Sequence, residues 1–112
     1  MLEQKIEISE KLITREVTSF AEVTKECIEL YAKKNHDYGN SFDKGMEGIG
    51  LAYGVGRIYD KCNRLVTLTK EQAIVKDESV DDTLKDLACY SIMMLAYRKR
   101  EIENKQQMIN FE

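Results

Sequence analysis

The chain has 112 residues, 43% hydrophobic and 33% charged, with no proline and no tryptophan. That length predicts a single domain over residues 1–112, and the balance predicts a soluble, helix-rich one, because proline would interrupt long helices. A net charge of −3 argues against non-specific binding to duplex nucleic acid. No stretch approaches the roughly 20 apolar residues of a membrane span.

Residues 1–17, "MLEQKIEISEKLITREV", carry no secretory signal pattern and read as an N-terminal arm. Ile6 and Ile8 alternate with charge as in a strand, whereas Leu2, Ile6 and Ile13 suit a helix. A first helix is expected over about 19–34. Ser19 is its N-cap, Glu22 completes a capping box, and Phe20, Val23, Cys27, Leu30 and Tyr31 recur at helical spacing.

The polar stretch "KKNHDYGNSFDKG" follows, and Gly39 suits a left-handed helix stop. It holds the sole histidine, His36. Tyr38 and Phe42 offer flat surfaces to a base, and His36, Asn40 and Ser41 offer hydrogen bonds. The plainer alternative is a chain reversal whose aromatics pin it to the core.

A second helix is expected over about 48–69, with Leu51, Val55, Ile58, Cys62 and Leu65 on one apolar face. Gly48, Gly50, Gly54 and Gly56 crowd its start, for tight packing or for a ligand-adjustable end. Arg57, Lys61 and Arg64 share one stripe, a receptor for phosphate oxygens or a set of salt-bridge partners.

After a polar connector at 70–78, a third helix is expected over about 79–103. Ser79 and Asp82 form its capping box. Its apolar residues spread too widely for one contact, so an all-α fold of three main helices, completed by homo-oligomerisation, is expected. Asp86 lies inside this apolar run and needs a partner.

Glu26 and Glu29 on the first helix, with Asp82 and Asp86 on the last, form a candidate magnesium site. The alternative is solvated faces and charges suited to helix dipoles. Cys27, Cys62 and Cys89 are widely spaced and read as buried free thiols of a reducing cytoplasm. The expected location is cytoplasmic, that of the host if a phage encodes the chain. No Rossmann fingerprint, P-loop or nucleophilic catalytic set is present, so catalytic residues are unknown.

Three blocks, "KKNHDYGNSF", "GRIYDKCNRLVTL" and "DESVDDTLKDLACYSIMMLAYR", together resemble the nucleotide modification-associated domain type 1, over about residues 25–98. The third is also similar to the last motif helix of MazG-like all-α nucleoside triphosphate pyrophosphohydrolases. Those enzymes hold magnesium with E-E-x-x-E and E-x-x-D motifs. Here Lys25 stands before Glu26, and Thr83 stands three residues before Asp86.

The resemblance implies binding of a nucleotide or nucleotide-derived small molecule, including cyclic-nucleotide types. Tyr38 and Phe42 would take the base, and Arg57, Lys61 and Arg64 the phosphates. The expected setting is phage or bacterial nucleotide metabolism, or anti-defence sequestration of a nucleotide immune signal. Magnesium-dependent pyrophosphohydrolysis at Glu26, Glu29, Asp82 and Asp86 is the alternative, and a ligand-free helical interaction module is another.

Overall fold

The computed structural model describes residues 6–71 and 79–110; residues 1–5 of the arm, most of the connector and the last two residues lie outside it. The described residues form four α-helices and no strand, so the fold is all-α. A short 3-10 turn, Glu10–Leu12, leads into α1, Arg15–Tyr38. The cap of α1 is Thr14, whose Oγ1 accepts the Val17 N–H at 3.2 Å, and not Ser19. Thr14 offers the same chemistry five residues earlier, and no breaker separates the two. Ser19 instead donates its hydroxyl to the Arg15 carbonyl inside the helix.

Helix α1 continues four residues beyond the expected 34 and stops at Gly39, which takes φ 59°, ψ 44° as expected for a left-handed cap. Asn40 follows at φ 60°, a conformation asparagine tolerates better than most residues. The chain then enters α2, Ser41–Ile49, a helix missed by reading this stretch as a loop. Its glycines suggest irregularity, but Phe42 and Met46 lie one turn apart and are both buried. Gly45 sits so close to the Tyr53 ring that a Cβ would collide with it.

Gly50, at φ 96° and ψ −165°, separates α2 from α3, Leu51–Leu68. One helix over 48–69 is therefore two, jointed where only glycine is at ease. The expected apolar stripe of α3 is also rotated: Leu51, Val55 and Cys62 are exposed, while Gly54 is buried and Ile58, Lys61 and Leu65 are half-buried. Gly54 marks the closest approach to α4, where an added Cβ would lie 2.7 Å from Met94 Sδ.

Helix α4, Val80–Asn110, runs seven residues past the expected end at 103. Its capping box forms as expected. Ser79 Oγ accepts the Asp82 N–H at 3.1 Å, and Asp82 Oδ2 accepts the Ser79 hydroxyl at 2.8 Å. The Ser79 hydroxyl, and after it the Ser79 N–H, donate to the Asp82 carboxylate and hold it below the usual carboxylate range.

Packing is most extensive between α3 and α4, with α2 against α3 and α1 lying lightly on α4. Cys27, Phe42, Met46 and Cys89 form the buried apolar centre. Arg100 on α4 grips both carboxylate oxygens of Asp43 on α2, at 2.9 and 2.8 Å, and so fixes the short helix against the long one.

Candidate functional site

A cleft of about 320 Å³ opens where all four α-helices converge. Each helix lines it with residues that its 3.6-residue period places on one face. Helix α1 contributes Tyr31, Lys34, Asn35 and Tyr38, helix α2 Ser41 and Phe42, helix α3 Tyr53, Arg57 and Lys61, and helix α4 Asp86, Cys89, Tyr90 and Met93.

The floor is aromatic. Phe42 is only 7% exposed, with its ring centroid 5.7 Å from that of Tyr53 and 6.0 Å from that of Tyr90. Such tilted arrangements suit the quadrupoles of the rings. Phe42 is therefore both a core residue and a cleft wall. Tyr38 differs: at 69% exposure it stands at the rim, able to meet a planar group from solution.

Charge comes from three of the helices. Asp86, its side chain 25% exposed, places Oδ1 3.2 Å from Lys34 Nζ and Oδ2 3.3 Å from Lys61 Nζ. The carboxylate expected to need a partner thus has two. Arg57 stands with its guanidinium 5.1 Å from the Tyr53 ring centroid. Tyr53, first as a hydrogen-bond partner and then through its charge, raises the Arg57 pKa above its already high value, so the group stays cationic. Three cations and one carboxylate therefore line the cleft, leaving an excess of two positive charges.

Cys89 lies at the base of the cleft, its thiol 3.9 Å from the Cys27 carbonyl. Burial, reinforced by Cys27, pushes the Cys89 thiol up to about 11. At neutral pH it is a protonated packing group and not a nucleophile. Cys62, expected to be buried, is exposed on the outer side of α3.

The cleft gathers Tyr38, Phe42, Arg57, Lys61 and Asp86 from the residues singled out in the sequence. Asn40 is not among its lining; its Oδ1 accepts a hydrogen bond from Asn35 and steadies the turn. Arg64 lies half-buried two turns along α3 from Arg57 and does not line the cleft. Glu26 pairs with Lys85 at 3.2 Å, Glu29 is exposed on α1, and Asp82 serves the α4 cap. The described residues contain no group of three or more histidine, cysteine or acidic side chains able to hold a metal ion, so these four carboxylates do not converge.

Tyr31, Lys34, Tyr53 and Tyr90 were not singled out as site residues in the sequence. Their signal was present as spacing: Tyr31, Lys34 and Tyr38 fall at i, i+3 and i+7, and Tyr53 lies one turn before Arg57.

The family model described as nucleotide modification associated domain 1 matches residues 34–97, more than half of the chain. The chain belongs to this family. Its matched segment runs from Lys34 to Tyr97 and takes in every cleft residue except Leu30 and Tyr31. No curated protein and no solved structure matches the chain. The family's description links this nucleotide modification associated domain to nucleotide modification. Among its described residues, no helix is long and apolar enough to cross a membrane.

Proposed function

We propose that the cleft binds a nucleotide or a nucleotide-derived small molecule. The observation that carries this reading is the grouping of Lys34, Arg57 and Lys61 against the single carboxylate of Asp86, beside tyrosine rings in one opening. Anionic oxygens would lie against Arg57 and Lys61, with Lys34 released toward them from Asp86. A base would rest on Tyr38 at the rim, with Tyr31 beside it. The volume is at the lower end of the roughly 300–1,000 Å³ of small-molecule pockets, which suits a mononucleotide-sized ligand.

Binding without hydrolysis is the favoured form. Asp86 is the one expected metal ligand in the cleft, and both its oxygens already face lysines. A magnesium ion there would have to replace at least one lysine and draw its other ligands from water or phosphate. Retention of an unchanged ligand is the behaviour needed of a sponge for nucleotide immune signals. Turnover would instead place the protein in phage or bacterial nucleotide metabolism.

The test is incubation of the protein with canonical, modified and cyclic nucleotides, with and without magnesium, followed by mass analysis of the retained and released fractions. Retention of one class unchanged supports the proposal. Magnesium-dependent release of pyrophosphate establishes the hydrolytic alternative. No retention and no product from any nucleotide leaves a helical interaction module and overturns the nucleotide reading.

A further inference from the structure

Helix α4 has a second apolar face that no other part of the described chain covers. Its inner face carries Thr83, Asp86, Cys89, Tyr90 and Met93 toward the core and the cleft. Roughly 140° around the helix, at about 3.6 residues per turn, lie Val80, Leu84, Leu95, Ile102 and Ile109. All five are exposed, Leu95 at 70%, Ile102 at 63% and Ile109 at 67%.

The whole chain shows the same deficit of burial. It exposes 9765 Å², against about 6,300 Å² for a compact monomer of its 13.0 kDa mass. Its radius of gyration is 17.1 Å, where a compact domain of this length has about 13 Å. The excess surface is several times the roughly 800 Å² that one partner contributes to an ordinary interface.

We propose that a second copy of this chain covers this face, packing its own α4 antiparallel against the first. The spacing supports a helix seam: residues 84, 88, 91, 95, 98 and 102 alternate steps of four and three, as in a coiled coil. The middle of the seam is narrow, with Ala88 and Ser91. Charge selects the orientation. The seam carries one charged residue, Arg98, while Asp86 faces the cleft, Asp82 caps the helix and Arg100 grips Asp43.

Antiparallel packing sets Arg98 against Ala88 of the partner subunit, whereas parallel packing sets it against its own copy, like charge beside like. A two-fold axis near residue 93 then brings Leu84 to Ile102 of the partner subunit, and Ser91 to Leu95 of the partner subunit. Such an interface is isologous and closes on itself. It lies away from the cleft, so it stands or falls separately from ligand binding.

The experiment measures the mass of the full chain by light scattering at micromolar concentration. The expected mass is 13.0 kDa multiplied by two or by a larger even number. Leu95→Glu combined with Ile102→Glu should reduce it to the monomer mass while the helical circular dichroism is kept.

Cross-linking in a Cys62→Ser background gives a readout that does not depend on the charged variant folding. Under mild oxidation, Ser91→Cys chains mixed with Leu95→Cys chains should form a disulfide-linked dimer. Leu84→Cys chains alone should not, because antiparallel packing holds the two copies of that position about 27 Å apart. A folded monomer at this concentration overturns the proposal. So does an oligomer that a folded Leu95→Glu, Ile102→Glu chain retains, or one cross-linked through Leu84→Cys and not through the mixed pair.

Discussion

Lys61 on α3 and Asp86 on α4 meet at 3.3 Å across the cleft, and the same carboxylate holds Lys34 from the other side. Asp86 therefore does two opposed things. It gathers the cations and cancels part of their charge. Asp86→Asn keeps the shape and removes the negative charge, so an anionic ligand should bind more tightly. At an effective dielectric of about 20, losing one repelling charge a few ångströms away is worth about 1–3 kcal/mol, or roughly tenfold in affinity after relaxation of the freed lysines. Calorimetric titration of both proteins with the retained nucleotide measures this, and weaker binding by a folded variant would contradict it.

Arg57→Ala should weaken the same ligand by about 10- to 100-fold, the loss of a charge-assisted contact of roughly 1.5–3 kcal/mol. Part of that loss is screened, so the gap from wild type should narrow as salt is added. Arg57 is exposed, and its contact with Tyr53 is at the surface, so the variant should unfold within a few degrees of wild type. Equal affinities at low salt would remove Arg57 from the site.

Two glycines of α3 should respond in opposite directions to alanine. Gly56 has nothing within 4 Å of an added Cβ, so Gly56→Ala should stabilise by about 0.5–1 kcal/mol through helix preference alone. Gly54 has Met94 Sδ at 2.7 Å and Cγ at 2.8 Å from the same position. Gly54→Ala gains the same preference but overpacks the α3–α4 contact at a cost of about 1–3 kcal/mol, leaving a net loss. Thermal unfolding of the pair decides; a Gly54→Ala protein as stable as Gly56→Ala would mean that Met94 repacks freely.

The buried thiol of Cys89 gives the fold an alkaline limit. Its folded pKa, raised to about 11 by burial, lies above the unfolded value of 9.0. Its contribution is therefore complete below pH 9 and is lost as pH rises from 9 toward 11, where the unfolded chain releases the proton more readily. Denaturant midpoints between pH 8 and 11 should fall, and Cys89→Ala should flatten that fall. At pH 8, a thiol reagent should modify exposed Cys62 well before Cys89. Equal rates at the two positions would show that the core opens freely.

Strictly local signals were legible without the fold. Gly39 announced the end of α1 because its left-handed conformation is costly for other residues. Ser79 and Asp82 announced the start of α4 because a capping box closes within one turn. The absence of proline and the helical periodicity specified an all-α chain, and the blocks around Tyr38, Arg57 and Asp86 carried the family likeness. Asp86 was recognisable as a group in need of partners, since a carboxylate in an apolar run is costly alone.

Packing decided the rest, because these helices carry apolar residues on more than one face and only a neighbour selects between them. Contact with Tyr53 and Tyr90 made the Phe42 stretch a helix with one buried edge where its glycines read as a loop. The close approach of Met94 to Gly54 turned that side of α3 inward and left Leu51, Val55 and Cys62 outside. That same rotation brought Tyr53, Arg57 and Lys61 onto the cleft, and Arg64, on the same stripe, lies two turns farther along α3 and beyond it. A spacing along one helix records which residues share a side; which side faces a ligand is set by the distances between helices, and those exist only in three dimensions.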